Sequence, residues 1–557
     1  SYMGAAYYFP PSTWKLIFGG ACSLYFIWLL TKTSYEVSQP YFAGEQPIRG
    51  LRKGVPELNF GLFDGSDHQY TNFLKNLQSL VLYFTSVVVG KKLWELVFAL
   101  KRKRILVADD LNSPYAKHVT VMYSIYYTLH GVGFISYLHG FTAIYYFSSL
   151  ICFFFISRLG GSKLNPLLTW LLAIFVLFSS EYFKGYYIFT LMFGEDHWLA
   201  MLIDGNRGPL AWEVYFRMTM LRVISFNFDK YWAHNNVSVY QAKDEFTKRV
   251  VAHLPLDYFG FFQFMAYITF PQLYIAGPII TFNGFISQFA NPVVIKDAHN
   301  SKWIQTVWTL ILNVLLFVLL HYTCINAISI SYVWKSWEGR PMIIGLIGFQ
   351  TLVFMYFKFL CMWRFFRTFS LLDDIYAPRN MIRCMHNSYT FADFWRAWHS
   401  SFNKWTVRYL YIPLGGSSTQ HYTIWLIFFF IGLWHDLWWS WVAWALMNCL
   451  FFTIEIAITY YWAKPKFDWV RDIPGYDIVA HIFASWNATF ILCSNLTLMY
   501  GFNHMPVYLS KLLWEPGTWF VYVAICFLGG GFCIFMDEVK KREYGCPFRK
   551  PESAKEI

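Results

Sequence analysis

Two histidines stand where ionisable side chains are costly. His435 closes the apolar stretch 424–434 and is followed at once by Asp436. A titratable group in such a place within a membrane protein points to a site, although a helix-end imidazole donating to a backbone carbonyl has the same pattern. The second, His399, lies in 394–416, where Trp395, Trp398, His399, Phe402 and Trp405 recur at helical spacing on one stripe. Arg396, Ser400, Lys404 and Arg408 step by four along another face, Pro413 ends the expected helix, and Gly415 and Gly416 allow a tight turn. Each feature has a plainer account: a Trp-rich stripe is usually packing, and a basic face usually meets water or lipid phosphate. Together, two inward histidines on neighbouring elements support acyl transfer. One imidazole takes the proton from a hydroxyl, the oxygen attacks a thioester carbonyl, and indole N–H groups or the second histidine hold the oxyanion. No persuasive G-x-S-x-G motif or Ser-His-Asp order is present, and this chemistry needs neither.

A third cluster lies upstream. Lys358, Arg364, Arg367, Asp373 and Asp374 end a long apolar run and lead into P-R-N-M-I-R-C at 378–384. Charges this close to apolar sequence are expected to pair with one another and hold helices together. A basic funnel for coenzyme A phosphates is the sharper alternative.

The elements that must position these residues are membrane helices. Of 557 residues, 56% are hydrophobic and 14% charged, against roughly 25% charged in a soluble domain. Aromatics make up 22%, as expected for a chain with many bilayer interfaces. The formal charge of +12 comes from basic residues in short loops between apolar runs, which fits cytoplasmic loops near anionic lipid rather than nucleic-acid binding. Ten scattered Cys with no C-x-x-C pair argue against a metal centre and against a disulfide framework.

Apolar runs recur at 14–30, 72–89, 119–138, 141–156, 167–178, 258–275, 303–321, 343–369, 422–435, 438–461, 476–499 and 518–536. Lipid cannot satisfy an open backbone, so the expected fold is all-α and polytopic, with about eleven transmembrane helices. Segment 211–228, which carries Glu213, Arg217 and Arg222, is expected to be interfacial or protein-buried, as is 391–409. Hydrophilic connections are expected near 33–70 and 227–255. The absence of repeats favours one membrane-embedded domain over 1–557, with core motifs at 258–499 and a basic cytoplasmic tail at 537–557. Lys91, Lys92 and 101–104 mark a second cytoplasmic region. Ser1 to Pro10 lack a basic n-region and a cleavage pattern, so the first run is expected to be a retained anchor, and the missing initiator Met points to a trimmed start. Asn236 heads a candidate glycosylation sequon, whereas those at Asn487 and Asn495 lie in an apolar run and are taken as chance.

At 394–399 (F-W-R-A-W-H), 411–416 (Y-I-P-L-G-G) and the helix-ending Trp434-His435, the sequence resembles the membrane-bound O-acyltransferase superfamily. I-A-G-P-I-I-T-F-N at 275–283, W-R-F-F-R at 363–367, L-L-D-D at 371–374, 378–384 and W-H-D at 434–436 resemble its fungal glycerol uptake protein branch, from about Asp64 to the tail. It is also similar to the Hedgehog acyltransferase group, which acylates a protein amine. The resemblance implies tilted helices around a tunnel, with interfacial or re-entrant helices. It implies acyl-CoA as co-substrate from the cytosol, no permanently bound cofactor, and an acceptor from the lumen or bilayer. In it, His435 matches the principal catalytic histidine and His399 the second, more variable polar position. The branch implies multi-pass residence in the endoplasmic reticulum and re-acylation of the sn-2 hydroxyl of a lyso-phosphatidylinositol in a glycosylphosphatidylinositol anchor. The candidate site is therefore His435 and His399 as catalytic residues, with Trp395, Trp398, Asn403, Lys404, Arg408, Trp434 and Asp436 contacting substrate. A glycerol transporter, an acyltransferase for a protein acceptor and a silent scaffold are the alternatives. The transporter lacks the duplicated halves common in that class, and the scaffold is disfavoured by the presence of both histidines.

Overall fold

The computed structural model describes residues 12–54, 61–100, 111–242, 244–293 and 301–543. The expectations made for Ser1 to Pro10, for 101–104 and for the last part of the basic tail lie outside the described residues.

Among the described residues, apart from one antiparallel strand pair, β1 (Leu51–Lys53) with β2 (Leu62–Asp64), the structure is helical. Helices α1 (Thr13–Phe42), α2 (His68–Val97), α3 (Pro114–His139), α4 (Ala143–Ser157) and α5 (Leu164–Tyr182) lead to two short helices, α6 (Ile188–Phe193) and α7 (Trp198–Ile203). The central stretch holds α8 (Trp212–Asn235), α9 (Glu245–Val251), α10 (Phe261–Ile268), α11 (Pro271–Tyr274), α12 (Phe282–Ala290), α13 (Lys302–Tyr322), α14 (Ile325–Ile330) and α15 (Pro341–Leu372). The site elements follow: α16 (Phe391–Ala397), α17 (Ser400–Thr406), α18 (Gln420–His435) and α19 (Trp439–Trp462). The chain closes with α20 (Asp468–Arg471), α21 (Tyr476–Tyr500), α22 (Met505–Leu513), α23 (Thr518–Ala524) and α24 (Gly530–Glu543).

Among the described residues, seven helices are long and apolar enough to cross a bilayer: α1, α5, α13, α15, α19, α21 and the run Thr518–Arg542 formed by α23 and α24. The chain is thus an all-α polytopic membrane protein, with seven helices meeting both criteria where about eleven spans were expected. Helices α2, α3 and α8 are comparably long but more polar. From Thr219 to Lys230 every residue of α8 is buried, in keeping with the protein-buried helix expected there.

Three expectations are corrected. Segment 33–70 is not all connection, because α1 continues to Phe42. Likewise α8 persists to Asn235, so the connection expected from 227 starts later. Segment 258–275 is not one span: Pro271 starts a new short helix after α10, and the chain then unwinds through Pro278 to Thr281. Proline lacks the N–H that a continuing helix needs. Irregular backbone buried among apolar side chains survives only where protein satisfies it, and here it does. Arg222 donates to the carbonyls of Ile268, at 2.6 Å, and Leu273. Tyr267 donates to Ile280 O (2.7 Å), Phe282 N–H to Ser225 Oγ (3.0 Å), and Asn283 N–H to Asp229 (3.2 Å).

Of the charges expected to pair there, Lys358, Asp373 and Asp374 are ion-paired, in line with the plainer of the two expectations. Lys358 pairs with Asp67 at 2.8 Å, Asp373 with Lys91 at 2.7 Å, and Asp374 with Lys302 at 3.0 Å. Arg367 donates to Ala377 O at 2.8 Å. Half-buried Asn487 donates to Glu455 and Tyr389 O, and Asn495 to Ile491 O, so both sequon asparagines are engaged in hydrogen bonds within the helical structure. An apolar cavity of about 470 Å³ between α1, α15 and α23 is lined by Phe18, Cys22, Tyr25, Met342 and Phe527, and by none of the candidate site residues.

The side chains of Lys91 and Asp373 are both fully buried. Removing one partner of such a pair leaves an uncompensated charge, at a cost of about 3–5 kcal/mol. Lys91→Met should therefore lower the unfolding temperature in detergent markedly, and Lys91→Met/Asp373→Asn should recover much of the loss.

Candidate active site

The segment expected to be one helix is broken at its most informative residue. Helix α16 stops at Ala397, Trp398 is extended, and His399 takes a left-handed conformation (φ 46°) before α17 begins. A non-glycine residue there costs on the order of 1–3 kcal/mol and persists only when its surroundings impose it. They do so through hydrogen bonds. Ser400 N–H donates to Asn380 O (2.8 Å), and Asn403 Nδ2 spans the corner to Trp395 O (3.0 Å). Ser401 Oγ donates to Asn380 Oδ1 while accepting from Ile279 N–H at 2.9 Å. Segments 378–384 and 275–283 are thus the braces of the His399 corner. Upstream, Glu455 of α19 accepts from Phe391 N–H (2.7 Å) and Ala392 N–H (3.3 Å), and Thr390 caps Asp393 N–H at 3.0 Å, which anchors the start of α16.

The break also corrects the expected stripe. Trp395 packs edge-on against Phe428 and Trp444, with centroids 5.6 and 5.8 Å away. Trp398 meets Phe359 and Trp363 at 5.8 and 5.7 Å. His399 stands edge-on to Trp363 at 4.6 Å and to Phe402 at 5.4 Å. The row of four is corrected as well. Arg396 pairs with Asp393 at 3.7 Å, Ser400 is buried, and Lys404 is exposed. Arg408 is buried against Asp229 at 2.9 Å, with Tyr409 donating to the same carboxylate oxygen. Around Arg408 the helix widens by one residue, Ile412 N–H reaching back to Val407 O, so the four residues share no single face. The turn expected after Pro413 is present, with Gly415 at φ 107° and Gly416 at φ 58°.

His435 is the last residue of α18, and Asp436 is extended. This end is locked reciprocally to α8. Arg217 Nη1 donates to His435 O at 2.6 Å, while Trp434 Nε1 donates to Arg217 O at 2.8 Å. Arg217 Nη2 pairs with Glu181 at 2.8 Å and lies 3.6 Å from Asp436. The His435 ring stacks on Trp441 (5.0 Å, 17° between planes) and meets Trp444 edge-on at 6.0 Å. Gly432 permits this approach, since a Cβ there would lie 2.9 Å from Val442 Cα. Trp434 stacks on Phe402 at 4.5 Å and lies 6.4 Å from the His399 ring. Both histidine rings therefore pack about the same indole, that of Trp434.

The structure brings together His399, His435, Trp395, Trp398, Trp434 and Asp436. Asn403 serves the corner, Arg408 is committed to Asp229, and Lys404 remains exposed. Sequence reasoning noticed Arg217 only as a charge in an apolar run and gave Glu181, Trp363, Trp441 and Trp444 no role. The W-x-x-W spacing just after His435 places two rings on one side of α19 and was the available signal. A pair of imidazoles in an aromatic, helix-enclosed setting can move a proton between a hydroxyl and a leaving group.

The family model described as MBOAT, membrane-bound O-acyltransferase family, matches residues 167–500, more than half of the chain and a span that includes every candidate site residue. The membrane-bound O-acyltransferase gup1 of Schizosaccharomyces pombe is 32% identical over 506 residues, covering 87% of this chain and 82% of that protein. The GUP1 protein of Saccharomyces cerevisiae is 31% identical over 457 residues, covering 78% and 74%. A mouse protein-cysteine N-palmitoyltransferase, HHAT, is 22% identical over 292 residues, covering 48% and 55%. The chain thus belongs to the membrane-bound O-acyltransferase family, as an acyltransferase enzyme homologous to the fungal GUP1 and GUP2 proteins.

Proposed function

We propose that this enzyme transfers a long or very long fatty acyl chain from acyl-CoA to the sn-2 hydroxyl of a lyso-phosphatidylinositol in a glycosylphosphatidylinositol anchor, free or protein-bound, in the endoplasmic reticulum membrane. The observation that carries the chemistry is that the His435 and His399 rings both pack against Trp434, with the end of α18 clamped by Arg217. The relation to GUP1 proteins supports the branch and, through it, the acceptor.

In this reading about eleven helices of a single domain enclose a tunnel through the bilayer. Acyl-CoA enters from the cytosolic side, where 537–557 lies, and the acceptor from the lumenal side. His435 takes the acceptor proton as general base. His399 orients the reacting groups, and its left-handed backbone fixes where the imidazole starts. Trp395, Trp398 and Trp434 wall the acyl chain. Asp436 helps hold Arg217, and through it His435. Lys404 is the exposed cation available to coenzyme A phosphate, whereas Arg408 is already neutralised by Asp229.

Purified protein incubated with labelled very-long-chain acyl-CoA should acylate the lyso-phosphatidylinositol acceptor in preference to glycerol or a peptide with a free amino terminus. His435→Ala should cut product by about 10²–10⁴-fold, the usual contribution of a general base. Equal product from variant and wild type removes the assignment of His435, and preference for the peptide removes the lipid acceptor. For the donor, Lys404→Ala should raise KM for acyl-CoA and leave kcat unchanged, as expected for loss of uniform binding. An unchanged KM excludes Lys404 from the donor site.

A further inference from the structure

We propose that the indole N–H groups of Trp395 and Trp444 form the oxyanion site of the acyl-transfer step. This inference rests on the reading of His435 as the base. Both indole nitrogens are buried and, among the described residues, neither has a hydrogen-bond partner. A buried donor left unpaired is costly, and it calls for an explanation in a folded protein. Trp94 and Trp334 share that property, so an unpaired indole alone marks nothing. Position sets the other two apart. Trp444 meets the His435 ring at 6.0 Å and the Trp395 ring at 5.8 Å. They come from different elements, α16 and α19, and both are held. Trp395 O accepts from Asn403, and the start of α16 is tied to α19 through Glu455. Trp434 offers no such donor, because its N–H is spent on Arg217 O. Trp405 is likewise spent on Leu221 O.

An indole N–H can only donate. That suits an atom that gains negative charge during the reaction, and it avoids dependence on tautomer. The acceptor O–H bond breaks as His435 takes the proton and the oxygen bonds to the thioester carbon. The carbonyl π pair moves onto the carbonyl oxygen, where the two indoles hold it. Collapse re-forms the C=O bond and breaks the C–S bond, and the departing thiolate recovers the proton from the imidazolium. Donors fixed before the reaction need no reorganisation as charge develops, and in a water-poor site each is worth more than in solution.

The test replaces Trp444, and separately Trp395, with phenylalanine or with β-(3-benzothienyl)alanine, which keeps the bicyclic shape and removes only the N–H. Steady-state rates and thermal unfolding are measured on the full chain, with Trp334→Phe as a control outside the site. The expected result is a fall in kcat of about 10²–10³-fold for each position, with KM for acyl-CoA and the unfolding temperature unchanged in the benzothienyl variants and kcat unchanged in the control. A benzothienyl variant with wild-type kcat, or with a loss carried entirely by KM, overturns the proposal. If the phenylalanine variants fail to fold, the benzothienyl variants decide. The two readings fail differently: wild-type protein that forms no acylated product removes the acyltransfer assignment itself, whereas active benzothienyl variants beside an inactive His435→Ala remove only the oxyanion site.

Discussion

A helix packed inside an apolar core breaks only where every N–H and C=O it releases is caught by protein, because its surroundings offer no other partner. The structure turns on two such breaks that touch each other. One is the left-handed corner at His399, and the other is the unwound stretch between α11 and α12. Ser401 joins them, donating to Asn380 and accepting from Ile279 N–H. Without this link the 394–411 segment has every local reason to continue as a single helix, and His399 would point along a Trp-rich stripe. With it, His399 is turned towards Trp363 and Trp434, and α17 starts along a new axis.

The second histidine is fixed by a different means. His435 ends α18, where the last carbonyls of a helix have no partner within it. Arg217 supplies that partner, and its guanidinium is in turn held by Glu181 and approached by Asp436. The bond from Trp434 back to Arg217 O makes the contact mutual, so neither helix can shift along the other without losing two hydrogen bonds. One candidate residue is thus set by backbone strain and the other by a charged clamp, with the Trp434 and Phe402 rings stacked between α17 and α18.

Buried ion pairs reinforce this frame away from the chemistry. Lys91 with Asp373 and Asp229 with Arg408 each join elements distant in sequence. Such pairs gain little over well-packed apolar residues but are expensive to break, so they penalise alternative registers of neighbouring helices. Asp229 also receives Asn283 N–H and the Tyr409 hydroxyl, tying α8, the start of α12 and the end of the 394–411 segment into one unit.

Composition and run length were enough to establish a polytopic helical membrane protein, because the cost of exposing apolar surface or open backbone leaves few alternatives. The motifs at 394–416 and 434–436 were enough to identify the family and to nominate both histidines as candidates. Local periodicity could not show that 391–409 bends at His399, since each residue there has acceptable helical propensity and the bonds that favour the bend come from Asn380 and Ile279, more than a hundred residues apart. Nor could spacing separate Arg408 from Lys404. One is consumed by Asp229, some 180 residues upstream, and the other is left exposed, a difference that exists only once α8 lies beside the widened turn that follows α17. The same holds for Arg217 and Trp444: their residue types were visible in the chain, but their nearness to His435 is a property of helix packing. Local pattern records what each segment prefers in isolation, whereas partners far apart in sequence decide where that preference is overruled.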